Sequence, residues 1–422
     1  MKEFNGVIGY KGIKKELELL CDVLKNSEKY ARFGVEMPHG LLLYGEPGLG
    51  KTTMANCFAY ALGWTVFLCR KNKSDGYFID EIKRTYEDAK KSTPAIVFLD
   101  DLDKFANDDE AHVNSEEFVT VQSCIDDARS KNVFTLATAN DITNFPKSLL
   151  RVGRFDKVYE IEAPRGKDAE DIIAYYLSKK NFVGDVDTKA IAAILDGCSC
   201  AELETVINEA GICAGFDGRE KIEMNDIVRA CLHIIFHAPE DISQYSPAAQ
   251  KRIAYHEAGH AVVSEILEEG SINLISVCTH SGRKGGVASS STSPDYFTST
   301  GYMENRVISL LGGRAATEIV YGEIDTGASN DLKRAFDIVG RLISINACRG
   351  FAQYVTNDSC DRVIEQKNSA VMFEMERYYL LAKKIIADNR AFLDNLAAAL
   401  AERKTLLGEE VRKIKATAKQ GA

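Results

Sequence analysis

The chain has 422 residues, 45% hydrophobic and 27% charged, a balance that supplies apolar material for real cores and excludes wholesale disorder. That length exceeds what one core ordinarily organises and points to two or three domains. The net charge of -10 is spread over residues of both signs with no basic face, which excludes nucleic acid as the expected partner.

Short apolar runs of strand character recur at 40–44, 65–69, 95–99, 133–138 and 158–161, with helical periodicity between them, as at 80–91. Such alternation predicts an α/β unit over residues 1–165, a parallel sheet between helices. The first strand runs into Gly45-Glu46-Pro47-Gly48-Leu49-Gly50-Lys51-Thr52, the pattern G-x-x-x-x-G-K-S/T followed by a helical segment. Glycines let backbone N–H groups wrap phosphates, Lys51 brings positive charge to the β and γ groups of ATP, and the Thr52 hydroxyl suits Mg2+. A glycine-rich turn can match by chance, but strand-loop-helix context is what distinguishes a phosphate loop.

The third strand delivers Asp100 and Asp101 at its carboxyl end, where ligands meet open α/β sheets. Asp100 is expected to hold Mg2+ and Asp101 to polarise the attacking water. The fourth strand ends at Asn140, an amide able to orient that water. Arg151 and Arg154, in a loop where arginines are usually just solvated, fit charge-stabilising fingers supplied across a subunit boundary.

From 166 to 238 strand signals stop and helical ones take over, at 169–179, 188–195, 201–214 and 224–233, which predicts a small all-α domain. Residues 239–247, punctuated by Pro and Ser, read as a linker, and 248–422 as a second large, mainly helical domain. Its first helix, 248–268, carries His256-Glu257-Ala258-Gly259-His260. The i, i+4 spacing of H-E-x-x-H puts both imidazoles on one helical face, with Glu257 beside them as general base for the attacking water. With only seven histidines in the chain, two at this spacing around a glutamate are a specific zinc signal. A hydrolytic zinc site needs a third protein ligand. Glu318, Asp325 and Asp331 are candidates, and spacing does not choose among them. Strand-like runs fall at 273–278 and 286–290, and everything after residue 302 reads as helix, including 370–388 and 389–404.

Eleven cysteines, without a C-x-x-C pair, suit reduced thiols rather than a disulfide frame. No signal-peptide h-region opens the sequence and no run of about 18 apolar residues occurs. The chain as written is expected to be cytoplasmic, with no membrane association encoded in it.

In the order of its motifs the sequence resembles the FtsH-type AAA+ zinc metalloproteases. The landmarks are the phosphate loop, Leu150-Arg151 with Gly153-Arg154-Phe155-Asp156, the H-E-A-G-H helix, Gly312-Gly313-Arg314, Thr326-Gly327-Ala328-Ser329-Asn330-Asp331, and Thr405-Leu406-Leu407-Gly408-Glu409-Glu410. The resemblance implies a homo-hexameric ring that threads unfolded or damaged protein substrates into a proteolytic chamber. It also points to Asp331 as the third zinc ligand, with Glu318 a nearby supporting acid. The family is normally membrane-anchored, so the alternative localisation is an anchor absent from this chain. Two further departures stand out. The second Walker B acid is usually glutamate, and Asp101, a methylene shorter, would position water less well and slow hydrolysis. The family's aromatic pore-loop tripeptide falls on Ser74-Asp75-Gly76, with Tyr77 and Phe78 following. These departures keep alternative functions in view: an AAA+ remodelling or chaperone-like assembly with weak ATPase and little ATP-driven proteolysis, or a peptidase whose ATPase half mainly holds the ring together.

Overall fold

The computed structural model describes residues 4, 6–71, 77–105, 115–238, 246–278, 287–290, 299–344 and 361–420. By its internal contacts the chain divides into two compact units, 1–181 with 197–207, and 182–196 with 208–422.

In the first unit, helices α1 (Lys11–Lys25) and α2 (Ser27–Ala31) precede β1 (Gly40–Tyr44), α3 (Lys51–Leu62), β2 (Thr65–Arg70), α4 (Phe78–Lys91), β3 (Ala95–Asp100), α5 (Ser115–Ala128), β4 (Val133–Ala139), β5 (Lys157–Glu160) and α6 (Gly166–Ser178). The strands form one parallel sheet in the order β2-β3-β4-β1-β5. Its inner strands β1, β3 and β4 are nearly continuous apolar runs because both faces are covered, whereas the edge strand β2 leaves Val66 and Leu68 exposed. Two boundaries differ from the periodicity. Strand β3 includes Asp100 itself, and α4 begins at Phe78, which packs edge-on against Phe105 with ring centroids 4.8 Å apart. Phe78 is thus a core residue, while Tyr77 is 75% exposed. Ser74, Asp75 and Gly76 lie outside the described residues.

Helices α7 (Thr188–Ile194), α8 (Cys200–Phe216) and α9 (Met224–Ile234) follow. Asp187 caps α7 by accepting from the Lys189 and Ala190 N–H groups, and Glu223 and Asp226 form a reciprocal capping box on α9.

The second unit continues with α10 (Pro247–Leu267), β6 (Ile272–Ser276), β7 (Val287–Ser290), α11 (Thr300–Tyr321), α12 (Ser329–Ser344), α13 (Asp361–Asp388), α14 (Arg390–Arg403), β8 (Thr405–Leu407) and α15 (Gly408–Gln420). Ser246 caps α10 by accepting from the Ala249 N–H, with Pro247 at the first helical position, where its missing N–H costs nothing. Residues 239–245 of the expected linker lie outside the described residues. The core is built on α10, α11, α13 and α14, around Ala258, Val262, Leu311, Tyr378 and Leu396.

The expectation of helix throughout the C-terminal part needs one correction. Thr405–Leu407 is a strand, and β6 takes β7 on one side and β8 on the other, both antiparallel. Three residues show no periodicity, and the strand exists because Lys404 ends α14 at φ 68° and β6 offers an open edge. Among the described residues, no helix is long and apolar enough to cross a membrane.

Candidate metal centre and nucleotide site

Helix α10 carries His256 and His260 one turn apart, and the first turn of α12 brings Asp331 to them. Asp331 Oδ2 lies 3.3 Å from His256 Nε2 and 3.4 Å from His260 Nε2, and the two Nε2 atoms are 3.1 Å apart. Each residue offers one donor atom to a common point. His260 Nδ1 is 2.8 Å from the Ser309 carbonyl oxygen of α11. A carbonyl only accepts, so Nδ1 carries the proton and Nε2 keeps its lone pair for the site, the arrangement a metal-binding histidine needs.

Electrostatics favour positive charge here, which a second proton on His260 or a metal ion in its place can supply. Burial alone would lower the His260 pKa, but the Asp331 carboxylate outweighs it and pushes the imidazole up to about 9. Burial would likewise raise Asp331, yet the two imidazoles hold its carboxyl well below the usual range. The donors favour positive charge between them, and two nitrogens with one carboxylate oxygen form a set that could hold zinc with a position left for water. Glu257 lies beside His256 on α10, only 3% exposed.

A close helix crossing makes room for the imidazoles. A Cβ built on Gly312 would come within 2.6 Å of the Gly259 carbonyl oxygen, so α10 and α11 approach through two glycines. The next residue, Gly313, faces the histidine rings directly. Ser309 and Gly313 were not legible as site residues, since their role depends on which face of α11 meets α10.

The structure separates the three acids that spacing left open. Asp331 joins the imidazoles. Glu318 accepts from Lys383 Nζ at 2.8 Å and from the Tyr379 hydroxyl, both on α13. Asp325 pairs with Arg252 of α10, Nη2 to Oδ1 at 2.7 Å.

In the first unit, the loop between β1 and α3 takes positive φ at Gly45 (144°), Gly48 (80°) and Gly50 (86°), conformations open to glycine. Gly48 also meets the start of α8, where a Cβ would stand 2.9 Å from the Ala201 Cβ. Lys51, almost fully buried, donates to the Gly45 and Glu46 carbonyls, both at 2.7 Å, and to Asn140 Oδ1 at 3.0 Å; burial lowers its pKa. Thr52 Oγ1 donates to Asp100 Oδ1 at 3.1 Å, as does Thr138 Oγ1 at 2.7 Å. A hydroxyl and a buried carboxylate meeting beside the loop form a hard-oxygen donor set suited to Mg2+.

Asp101 turns out of β3 in the left-handed region at φ 57°. Its Oδ2 lies 3.3 Å from Arg70 Nη2 and 2.7 Å from Lys104 Nζ. Burial would raise its pKa, but these two cations lower it. Arg70 stands in register with Asp100 across the β2-β3 pair, which spacing does not reveal. Asn140 donates from Nδ2 to Asp103 Oδ2 at 3.3 Å. Of the arginine pair, Arg151 is exposed, while Arg154 forks onto Asp126 at 3.0 and 2.7 Å and donates to the Ser148 carbonyl at 2.6 Å.

Comparison with known proteins matches the regions that carry both sites. Peptidase family M41 matches residues 243–414, the ATPase family associated with various cellular activities (AAA) matches 41–163, and the AAA+ lid domain matches 185–229. The ATP-dependent zinc metalloprotease FtsH 2 of Symbiobacterium thermophilum is 30% identical over 437 residues, covering 97% of this chain and 74% of the relative. FtsH 2 of Thermoanaerobacter sp. is 29% identical over 420 residues, covering 97% and 82%. FtsH of Marinobacter nauticus is 27% identical over 440 residues, covering 97% and 69%. With an AAA sheet, a helical lid and an M41 peptidase domain in one polypeptide, the chain belongs to the FtsH family of ATP-dependent zinc metalloproteases.

Proposed function

We propose that this chain works as a homo-hexameric ring that uses ATP to unfold and thread unfolded or damaged protein substrates and cleaves them at the His256, His260 and Asp331 centre. The observation that carries the reading is the meeting of those three donors, from two helices, beside the buried Glu257. The remodelling alternative is not favoured, because the metal trio is complete. We place the ATPase core at 1–165, the lid at 166–238, the linker at 239–247 and the peptidase at 248–422.

In the peptidase unit, a zinc ion held by the trio would polarise the scissile carbonyl and acidify water. Glu257 takes the proton from the attacking water and passes it to the leaving amine. The Ser309 carbonyl keeps His260 in its working tautomer. In the motor unit, the loop from Gly45 to Thr52 wraps the phosphates through its N–H groups, and Lys51 neutralises them. Thr52 and Asp100 serve Mg2+, Asp101 orients the attacking water, and Asn140 fixes Lys51. Arg151 reaches the nucleotide of the neighbouring subunit while Arg154, held by Asp126, braces the loop that presents it.

The test is casein degradation with and without ATP, repeated after chelation and zinc return. Cleavage that needs both ATP and metal is expected. Degradation that survives complete removal of metal would sink the zinc mechanism, and degradation of folded substrate indifferent to ATP would sink the coupling.

A further inference from the structure

We propose that Arg252 and Asp325 form a clamp that positions Asp331 for metal; the proposal rests on the reading of His256, His260 and Asp331 as the zinc ligands. Helix α11 ends at Tyr321, and Gly322, at φ 71°, reverses the chain. The short segment 323–328 must then deliver α12, and with it Asp331, to the imidazoles. Ile324 and Gly327 in this segment are exposed, and Glu323, also exposed, lies 3.4 Å from Arg252 Nη2 through its Oε2. Asp325 is held. The Arg252 guanidinium forks onto its carboxylate, Nη2 to Oδ1 at 2.7 Å and Nε to Oδ1 and Oδ2 at 3.2 and 3.3 Å. The same guanidinium carbon lies 4.5 Å from the centre of the Tyr321 ring, so its plane is set from a second side.

Arg252 precedes His256 by one helical turn on the same face of α10. That helix therefore grips the returning segment at two places, Arg252 on Asp325 and the imidazoles on Asp331. Neither Arg252 nor Asp325 touches the donor trio, so both are positioning residues. A partly exposed ion pair contributes little to stability, so the pair's effect belongs to the aim of Asp331 rather than to the fold. A fork of this geometry is also specific to arginine, since lysine offers a point charge.

The experiment measures zinc affinity of the full chain by competition with a chromophoric chelator, alongside thermal unfolding. The variants are Arg252→Ala, Asp325→Ala, the exchanged pair Arg252→Asp with Asp325→Arg, and Asp331→Asn. Each single alanine substitution is expected to weaken zinc binding about 10- to 100-fold with little change in Tm, as for other groups that orient metal ligands, and the exchanged pair to regain most of the loss. If an alanine variant fails to fold, Arg252→Lys and Asp325→Asn carry the same test. Parent affinity in the single variants while Asp331→Asn loses zinc overturns the clamp and leaves the ligand assignment standing. An exchanged pair as weak as the sum of the singles also overturns it. Zinc retained at parent affinity by Asp331→Asn removes the ligand reading itself.

Discussion

Gly313 lies directly against His260: a Cβ built on Gly313 would stand 2.5 Å from His260 Nε2 and 2.7 Å from His256 Cε1. Even one methyl group there forces both imidazoles or the helix to move. Gly313→Ala is therefore expected to lose zinc and to cut peptidase activity on the order of a hundredfold, the usual result of a misplacement of about 1 Å. ATP turnover should persist. Metal content of the purified variant checks this, and a full zinc complement with parent activity would contradict the packing argument.

Glu257→Gln keeps the shape of the side chain but removes the base. Peptide cleavage is expected to fall by about 10²–10⁴-fold while zinc content and ATP hydrolysis stay near the parent's. Assaying short-peptide cleavage beside phosphate release separates the two activities. Substantial remaining cleavage would take Glu257 out of the mechanism.

The short acid at the end of β3 reads differently once its backbone is seen. Asp101 sits at φ 57°, a region in which Asp is among the better-tolerated residues, and it is already held by Arg70 and Lys104. Glutamate would strain the turn and overshoot both cations. Asp101→Glu is expected to lower ATP turnover several-fold and leave short-peptide cleavage unchanged. A rise in turnover would restore the view, natural from side-chain length alone, that the aspartate makes a slow motor.

Arg151 is exposed where Arg154 is braced, so Arg151→Ala should reduce ATP turnover steeply, on the order of a thousandfold for a finger that completes a neighbour's site. Mixing it with a Lys51→Ala chain tests action in trans. Some mixed boundaries then join an intact loop to an intact arginine, and turnover should partly return. No recovery in rings shown to be mixed would contradict reach across the boundary.

Glu318 supplies a pH signature. Lys383, and then the Tyr379 hydroxyl, hold its carboxyl below the ordinary value of 4.5. A carboxylate with a depressed folded pKa stabilises the protein above its unfolded pKa, and that contribution fades as pH falls through the folded value. Lys383→Met should accordingly lower Tm at pH 7, by no more than about 1 kcal/mol of stability for a partly exposed pair, and matter less at pH 3. Thermal unfolding at both pH values checks the sign.

Much of this architecture is legible because its signals are local. Apolar runs at 40–44 and 95–99 mark buried strands, and the phosphate loop and His256-Glu257-x-x-His260 carry their chemistry within a few residues. What spacing could not reach depends on which distant surfaces meet. Glu318, Asp325 and Asp331 look alike as acids near helix ends, and only the packing of α13 and α10 assigns the first to Lys383 and the second to Arg252. Strand β8 is three residues long and has no periodicity to read. Phe78 and Tyr77 are adjacent aromatics, yet one is packed on Phe105 and the other is exposed, a difference set by the turn that starts α4.

The small sheet of the second unit sets an order of assembly. Lys415 donates to the Glu265 carbonyl in the last turn of α10, across 150 positions of sequence, and β8 closes the edge of β6. The helix that bears both imidazoles is thus completed by residues synthesised long after it, through loops that are among the slowest to close. A nascent chain holding H-E-x-x-H but not yet β8 and α15 has an unclosed strand edge and an unfastened active-site helix. Proteolytic competence therefore waits on β8 and α15 rather than on the motif helix alone.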